Sequence, residues 1–493
     1  MEITRRNLLK TAASLSVLST AAGTSFTAKG AQKRSVVIIG AGLSGLNAAL
    51  LLKDAGLEVT VLEGANRVGG RVFTADDVET RPEMGASQVG RSYARTIALC
   101  ERFGLKLIPE VRNLLPMASR IDGTWINSKD WPNSPLNKMV GEERKLQPAM
   151  AGSQLLSHLN PLQDLDDWLD PKFADYDVSV KELLLKNGAS EAALRMADAS
   201  SDIHMASALA LLQEKNRGIF DAKFGGVELS KIDRPYGNDN QIEEGQKLAM
   251  ISNIDGGTSR LPEAMVAELG DVVFTNKIVS NINLSDSRKV VQCLDGSRYQ
   301  ADYVISAVPF STLRNIAIYP LLQGPQAKAV YEMNYAATTR AYGVIEEPYW
   351  EEDGFEPSFF TNDAIHMLWA LQKRPGDDKH RFMVVFTEPA ASRIDQLPAD
   401  QALAYIEQQV IRLRPSTKGK LRYLTMYAWQ KNPLIKGCRH MFAPGQINAF
   451  AREMIEPHYQ MHFAGEHTRR NDFGMEAALE SGERAAFEIL MQG

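Results

Sequence analysis

The sequence is poor in the residues that build disulfide-held or metal-held proteins. Its 493 residues include three cysteines, Cys100, Cys293 and Cys438, and no two of them form a C-x-x-C pair. Three cysteines allow one disulfide at most, which excludes a disulfide scaffold, and without a C-x-x-C pair the usual signature of a zinc ribbon or iron–sulfur cluster is missing. His458 and His462 are four residues apart, but the segment that follows them predicts a strand, so we expect no metal site.

Strong charge and long apolar runs are also lacking. Lys and Arg total 55 against 60 for Asp and Glu, a net charge of -5. This slight excess of acidic residues lacks the excess of positive charge that nucleic-acid-binding proteins carry, so we expect no nucleic-acid partner. No stretch reaches the roughly 20 apolar residues of a membrane-spanning helix, so we expect no stable membrane span. The 44% hydrophobic and 23% charged residues are typical of a globular protein, and the length predicts two to four domains.

The first thirty residues have a pattern of their own. Arg5 and Arg6 precede an uncharged stretch from Thr11 to about Phe26 that is too short and too weakly apolar to cross a membrane. A basic start, a modest apolar stretch and small residues are typical of a secretory signal, and the paired arginines resemble a bacterial twin-arginine signal. A basic amphipathic helix is the alternative interpretation. We expect residues 1–30 to be read by the twin-arginine export machinery and the protein to be periplasmic.

A strand, a glycine-rich turn, a helix and a second strand follow the signal. Ser35–Ile39 is a continuous apolar run, as expected of a buried parallel strand, and it leads directly into the G-x-G-x-x-G sequence Gly40–Gly45. An Ala- and Leu-rich helix then closes near Gly56, and the next strand ends at Glu63. This order of elements is the β-α-β unit that binds dinucleotides.

Each residue type in this unit has a physical reason. Gly40 makes the tight turn, Gly42 lets the backbone approach a pyrophosphate, and Gly45 allows the helix to pack closely on the strand. Ser44 stands in the first turn of the helix, whose free N–H groups and positive dipole end favour phosphate. Glu63 can accept hydrogen bonds from ribose hydroxyls.

A second glycine-containing loop comes directly after Glu63. It places Arg67 and Arg71 around Gly69-Gly70. One interpretation is a solvated loop. The other is a second approach to the same dinucleotide, in which Arg71, and Arg67 with it, offsets the pyrophosphate charge through charge-assisted hydrogen bonds.

Several segments together resemble one known family. Glu63–Arg71 is similar to the E-x-x-x-R-x-G-G-R stretch of the flavin amine oxidases, which include monoamine oxidases, polyamine oxidases, L-amino acid oxidases and some desaturases. The resemblance continues, in the family's order, through Glu83–Gly90, Asp255–Leu261, Ala301–Pro309, Phe463–His467 and Gly474–Ala478. It therefore spans nearly the whole chain after the signal and implies FAD as cofactor.

The resemblance also implies an architecture. The fold class would be α/β, with a doubly wound, Rossmann-like FAD-binding domain interleaved with an α+β substrate domain. The FAD-binding domain would take residues 33–115, 248–318 and 446–493. The substrate domain would take residues 116–247, which include a helical insert, and residues 319–445.

Further cofactor contacts are implied by family position. Val279 would contact adenine through its backbone, and Glu466 would help to hold the pyrophosphate or the ribityl chain. The amide of Met475 would lie near the flavin C2 carbonyl, where the helix dipole stabilises negative charge. Ser87 and Gly465 belong to two of the matching segments and are expected to lie against the cofactor.

Cys438 has two interpretations. It falls on the position of the cysteine that carries the covalent flavin in monoamine oxidases, which would make a thioether to the flavin 8α carbon. The alternative is a free thiol that packs as a small hydrophobic group.

The substrate side departs from the family. Arg439 and Gly474 occupy the positions of the aromatic pair of monoamine oxidases, with Phe473 beside them. Arg340 stands where the family has a lysine that reaches flavin N5 through a water; the alternative is an outward-facing arginine on an edge strand. Two arginines would favour a carboxylate substrate, yet venom-type L-amino acid oxidases carry their carboxylate arginine where this chain has Gln88.

The resemblance predicts an FAD-dependent enzyme that oxidises a C–N bond of an amine or amino acid to an imine, with oxygen or a periplasmic cytochrome as electron acceptor. A desaturase or isomerase that acts on C–C bonds is the first alternative, because the aromatic pair and the lysine are missing. A flavin-binding protein without turnover is the second.

Overall fold

The computed structural model describes residues 33–90, 92–109, 115–217, 251–363, 365–373 and 377–492. Chain contacts divide the sequence into two units, Met1–Lys33 and Arg34–Gly493, and the described strands and helices lie in the second. The predicted twin-arginine signal at residues 1–30 lies outside the described residues. Within them, no helix is long and apolar enough to cross a membrane.

A five-stranded parallel sheet holds the glycine-rich turn. Its central strand, Ser35–Ile39, is buried at every residue, as its apolar run predicts. All neighbouring pairs are parallel. The order across the sheet is Met461–Phe463, Tyr303–Ser306, Ser35–Ile39, Glu58–Leu62 and Val273–Phe274. Three distant stretches of the chain therefore meet in one sheet, which agrees with the α/β, Rossmann-like fold class.

Helices cover this sheet. The turn helix, Leu43–Asp54, is buried over most of its length and packs against Arg260–Leu269 and the C-terminal helix, Gly474–Leu490. The approach to the C-terminal helix is close at Gly482, where a Cβ would lie 2.1 Å from the carbonyl oxygen of Ser44. Glycine is required there because a larger residue would push the two helices apart.

Three smaller sheets lie beside the parallel one. The four-stranded sheet contains a hairpin turn at Asp295-Gly296, where Gly296 has a φ of 85°. The strands are Arg298–Ala301, Lys289–Cys293, Val279–Asn283 and Ala317–Tyr319 in the four-stranded sheet, Val89–Gly90, Ile251–Ile254 and Leu107–Pro109 in the three-stranded sheet, and Asn334–Ala336 with Arg439–Met441 in the two-stranded sheet.

A seven-stranded mixed sheet forms the other large layer. Its order is Leu421–Ala428, Thr338–Ile345, His380–Thr387, Met367–Leu371, Ser358–Thr361, Met117–Ile121 and Thr124–Ile126. The helices Ala390–Asp395 and Ala399–Leu413 share an apolar core with it. Thr338–Ile345, which carries Arg340, pairs on both sides, so the edge-strand interpretation of Arg340 is wrong.

The predicted helical insert is helical but broken into short pieces. Ser190 caps one helix, since its hydroxyl accepts a hydrogen bond from the amide of Ala193. Its α-helices are Ala151–Ser157, Val180–Lys186 and Glu191–Ser200, followed by a helical stretch from 208 to 217. The remaining α-helices of the described residues are Ala94–Arg102, Phe310–Leu313, Gly324–Glu332 and Trp350–Asp353.

Candidate active site

The glycine-rich turn gives its three glycines three different surroundings. Gly40 has a φ of 105°, which L side chains rarely adopt. A Cβ on Gly45 would lie 2.0 Å from the carbonyl oxygen of Gly40, so the turn helix could not pack so closely with any other residue there. A Cβ on Gly42 would meet no atom within 4 Å, because this backbone faces open space. The turn thus exposes bare backbone at one point and is closely packed at another.

That open space is a cavity of about 670 Å³, within the usual range for small-molecule sites. Sixteen of the predicted site residues line it: Gly40, Gly42, Ser44, Glu63, Arg67, Gly70, Arg71, Val279, Arg340, Cys438, Arg439, Gly465, Glu466, Phe473, Gly474 and Met475. Three others do not. Gly45 packs beneath the turn, and Ser87 and Gln88 follow Ala86, which does line the cavity.

Glu63 ties the two glycine-containing loops together. One carboxylate oxygen accepts a hydrogen bond from the amide of Ala41 and the other from the amide of Ala65, each at 2.8 Å. Burial raises the pKa of Glu63, although these two hydrogen bonds work in the opposite direction. Each carboxylate oxygen keeps a further lone pair, so the residue can still accept from a ligand hydroxyl.

Arg67 stabilises the glycine-containing loop that carries it. Its guanidinium donates to the carbonyl oxygens of Val68, Gly70 and Val72 at 2.7–3.2 Å and lies 4.4 Å from the ring centroid of Phe73. Its contacts within the protein therefore act mainly on the loop backbone.

Arg71 instead belongs to a charged network in the cavity wall. It lies 3.1 Å from the carboxylate of Glu466, which is also 2.9 Å from Nδ1 of His440. Burial alone would raise the pKa of Glu466, but His440 and Arg71 hold it well below its usual range. Burial lowers the pKa of His440. A neutral His440 must then donate from Nδ1, because an ionised carboxylate can only accept.

Glu214 is a site residue that no sequence motif indicated. It lies in the helical stretch from 208 to 217 and lines the cavity. Its carboxylate binds Arg439 at 3.2 Å and Arg469 at 3.0 Å. Burial would raise the pKa of Glu214, but the two arginines lower it. Its signal in the sequence is slight: an acidic residue just after the apolar run Leu209–Leu212.

Arg340 enters the cavity from the seven-stranded sheet. Its guanidinium donates a long hydrogen bond, 3.4 Å from Nη1 to the carbonyl oxygen of Gly85, and is also hydrogen-bonded to the hydroxyl of Tyr342. Its buried Nε has no partner among the described residues. The groups there that act on its charge are Tyr342 and Cys438, and neither is a carboxylate. The two arginines expected near the substrate therefore differ, since Arg439 is ion-paired and Arg340 is not.

His467 is buried in the same wall with both ring nitrogens unpartnered among the described residues. Burial holds the pKa of His467 well below its usual range, so the ring is neutral and offers one donor and one acceptor. Buried polar atoms are normally satisfied, so an unpartnered pair in a cavity wall indicates a ligand. With the bare backbone of Gly42, these atoms fit a cofactor that carries phosphates and hydroxyls, as FAD does.

Metal ligands are not gathered in the described part of the chain. No group of three or more His, Cys, Asp or Glu side chains is placed there to hold an ion. His458 binds the carbonyl oxygen of Pro320, and His462 binds Glu488.

The fold and cavity define an FAD-binding oxidoreductase. Comparison with family models narrows this class: residues 43–490 match the model described as flavin-containing amine oxidoreductase. Because the match covers most of the sequence, the chain belongs to that family, uses FAD and catalyses the oxidation of an amine C–N bond.

Individual relatives agree. The chain is 26% identical to human flavin-containing amine oxidase B over 488 residues, which covers 93% of this chain and 86% of the relative. It is 24% identical to a probable flavin-containing monoamine oxidase A of Dictyostelium discoideum, covering 92% and 97%. Among solved structures, putrescine oxidase bound to putrescine aligns with a TM-score of 0.72 at 22% identity, covering 93% and 99%. Cyclohexylamine oxidase from Brevibacterium oxydans gives 0.72 at 18% identity, with the same coverage.

Proposed function

We propose that this enzyme is a periplasmic amine oxidase or dehydrogenase whose substrate binds at the end of the cavity lined by Arg340, Arg439 and Phe473, and which passes electrons to oxygen or to a cytochrome. One observation carries the proposal. These three residues and the pyrophosphate-type glycine turn line the same cavity, so a dinucleotide held at the turn shares its space with them.

Bound FAD supplies the acceptor for the hydride that leaves the carbon beside the amine nitrogen. The chain supplies orientation and electrostatics. The C-terminal helix begins at Gly474 and turns its positive dipole end towards the cavity, which favours negative charge there. We assign no side-chain base, so the amine must enter neutral, and water then hydrolyses the imine.

Phe473 is an aromatic residue of the lining although the family's aromatic pair is absent. Its ring meets that of Tyr93, which does not itself line the cavity, edge to face with centroids 6.0 Å apart. A Cβ on Gly474 would lie 3.2 Å from the Tyr93 hydroxyl, so Tyr93 occupies the space beside that glycine. We propose that the Phe473 ring is the apolar surface against which the amine substrate packs.

The test is reduction of the bound flavin without oxygen. We expect the yellow absorbance to bleach when amines are added and the aldehyde or keto product of imine hydrolysis to appear. Bleaching by non-amine substrates alone would overturn the proposal in favour of C–C chemistry. A flavin that no compound in a broad panel reduces would favour a protein without turnover.

The acceptor is tested after reduction. An oxidase returns the yellow colour on admission of oxygen and releases hydrogen peroxide. A dehydrogenase recovers only with an oxidised cytochrome or an artificial electron acceptor.

Cys438 needs its own test. It lines the cavity, and both a thioether to FAD and a free thiol remain open interpretations. Acid precipitation of the holoenzyme gives a yellow pellet if the link exists. A colourless pellet, or colour that survives Cys438→Ala, rules the link out.

Export is tested with the paired arginines. We expect Arg5→Lys with Arg6→Lys to leave the protein in the cytoplasm, because twin-arginine signals are read as addresses. Periplasmic enzyme from this double variant would contradict that expectation.

A further inference from the structure

We propose that Arg340 is the receptor for a carboxylate on the substrate, so that the preferred substrate is an amine that also carries an acid group. This inference rests on the proposed function and names the substrate class for the same site. It starts from the charges around Arg340. This arginine places a permanent positive charge in the cavity wall, and no carboxylate of the described residues is paired with it.

Buried charges in proteins are normally paired. Arg340 has two neutral hydrogen-bond partners, the carbonyl oxygen of Gly85 and the hydroxyl of Tyr342, and its Nε has no acceptor among the described residues. Tyr342 does not act as a counter-ion. Its hydroxyl donates to the carbonyl oxygen of Glu83 at 2.6 Å, and burial raises the pKa of Tyr342, which keeps it neutral. An anion that enters the cavity would therefore meet an arginine whose described partners are all neutral and whose Nε–H has no acceptor among them.

Arg439 is the informative contrast. It lines the same cavity, but Glu214 binds it at 3.2 Å and also holds Arg469 at 3.0 Å. A carboxylate ligand would have to compete with Glu214 for Arg439, and at Arg340 it would meet no competitor. Of the two arginines at this end, the geometry points to Arg340 alone.

Arg340 comes from the seven-stranded sheet, whereas the loop with Arg67 and Arg71 follows a strand of the parallel sheet. The two meet at Cys438: Arg71 donates to its carbonyl oxygen at 3.2 Å, and Cys438 also acts on the charge of Arg340. Arg71 is already paired with the carboxylate of Glu466, so of these two arginines Arg340 is the one without a carboxylate partner among the described residues. A planar guanidinium matches a carboxylate through two parallel hydrogen bonds, which a lysine cannot reproduce.

The test compares two ligands on the intact holoenzyme. Benzoate, a carboxylate without an amine, is titrated while the flavin absorbance is recorded, which needs no turnover. We expect benzoate to perturb the wild-type spectrum and to bind at least tenfold more weakly to Arg340→Gln. Arg340→Lys, which keeps the charge and loses the fork, should fall between them. Arg102→Gln removes an exposed arginine outside the cavity and is the matched control.

Turnover gives the second readout. Phenylalanine and phenethylamine differ by the carboxylate, and we expect the wild type to have the higher kcat/KM for phenylalanine. In Arg340→Gln the ratio of the two kcat/KM values should fall at least tenfold, mainly because KM for phenylalanine rises. An unchanged benzoate affinity in Arg340→Gln overturns the inference, as does a wild type that binds no benzoate. Loss of FAD from both Arg340 variants also overturns it, because the arginine would then serve the cofactor. If the enzyme oxidises phenethylamine but not phenylalanine, the inference about the carboxylate is wrong, whereas the proposed amine oxidation is supported.

Discussion

The two ends of the cavity are built in different ways. At the cofactor end, the glycine turn is made by neighbouring residues of one short segment, Gly40–Gly45, and the carboxylate of Glu63 binds the amide of Ala41 in it. At the end that we propose for the substrate, Arg340, Arg439 and Glu214 come from three distant parts of the chain. The cofactor end is shaped mainly by backbone, and the substrate end mainly by side-chain charge.

Because of this difference, the two ends tolerate different kinds of substitution. Backbone sites fail when a side chain is added, because no rotamer can move an atom out of the way. Charged side-chain sites fail when a partner is removed, because the remaining charge stays buried and unpaired. Predictions for each end therefore use opposite kinds of substitution.

The largest effect is expected from Gly45→Ala at the cofactor end. The added Cβ would lie 2.0 Å from the carbonyl oxygen of Gly40, so the turn helix must shift. Overpacking usually costs about 1–3 kcal/mol, and a contact with rigid backbone should place this variant at or above about 3 kcal/mol. Urea denaturation of the purified variant measures the loss.

Gly42→Ala is the matched control. Its Cβ would enter open cavity and its backbone conformation suits any residue, with φ at -78°. We expect the stability of the FAD-free protein to change by less than about 0.5 kcal/mol and FAD affinity to fall, because the methyl group occupies the ligand's space. Equal free energies of unfolding for Gly45→Ala and Gly42→Ala would contradict the distinction between a closely packed and an open position in the turn.

The contrast also explains what could be predicted from sequence. The strand Ser35–Ile39, the glycine turn and the role of Glu63 could be predicted because each depends on residues a few positions apart in the sequence. Glu214 was not, since it is 225 residues from Arg439 and no local pattern indicates the contact. The pattern placed Arg340 at the site but left open which way it faces, because that depends on two neighbouring strands. For Ser87 and Gln88 the matching segment was found, yet the cavity wall passes through Ala86.

The next effect, at the substrate end, is expected from Glu214→Gln. It leaves Arg439 and Arg469 without their carboxylate. Removing one partner of a buried pair costs about 3–5 kcal/mol; Arg469 is buried, but Arg439 is half exposed and Glu214 a quarter exposed, so we expect about 2 kcal/mol. Urea denaturation at pH 7 measures it. The exposed pair of Arg102 and Asp54, removed by Arg102→Gln, should cost less than about 1 kcal/mol.

The pH dependence of this variant provides a check. The folded pKa of Glu214 is lowered, so its contribution is complete above the unfolded pKa of about 4.3 and is lost as pH falls towards the folded value. The stability difference between wild type and Glu214→Gln should therefore shrink below about pH 4. A difference that stays constant down to pH 3 would mean that the charge of Glu214 is not what stabilises the site.

The smallest effect is expected at His467, a buried residue of the cavity lining. The folded pKa of this buried ring is well below 6.5, whereas the unfolded ring titrates near 6.5. The unfolded state therefore binds more protons in mildly acidic solution, and the folded state loses stability as pH falls below 6.5. Between pH 7.5 and 5.5 this one group should remove about 1.4 kcal/mol. His467→Asn deletes the titration, so its unfolding free energy should fall less over that interval than that of the wild type. Parallel pH profiles for the two proteins would show that His467 takes up its proton equally in the folded and unfolded states, and the assignment of a ring kept neutral by burial would be wrong.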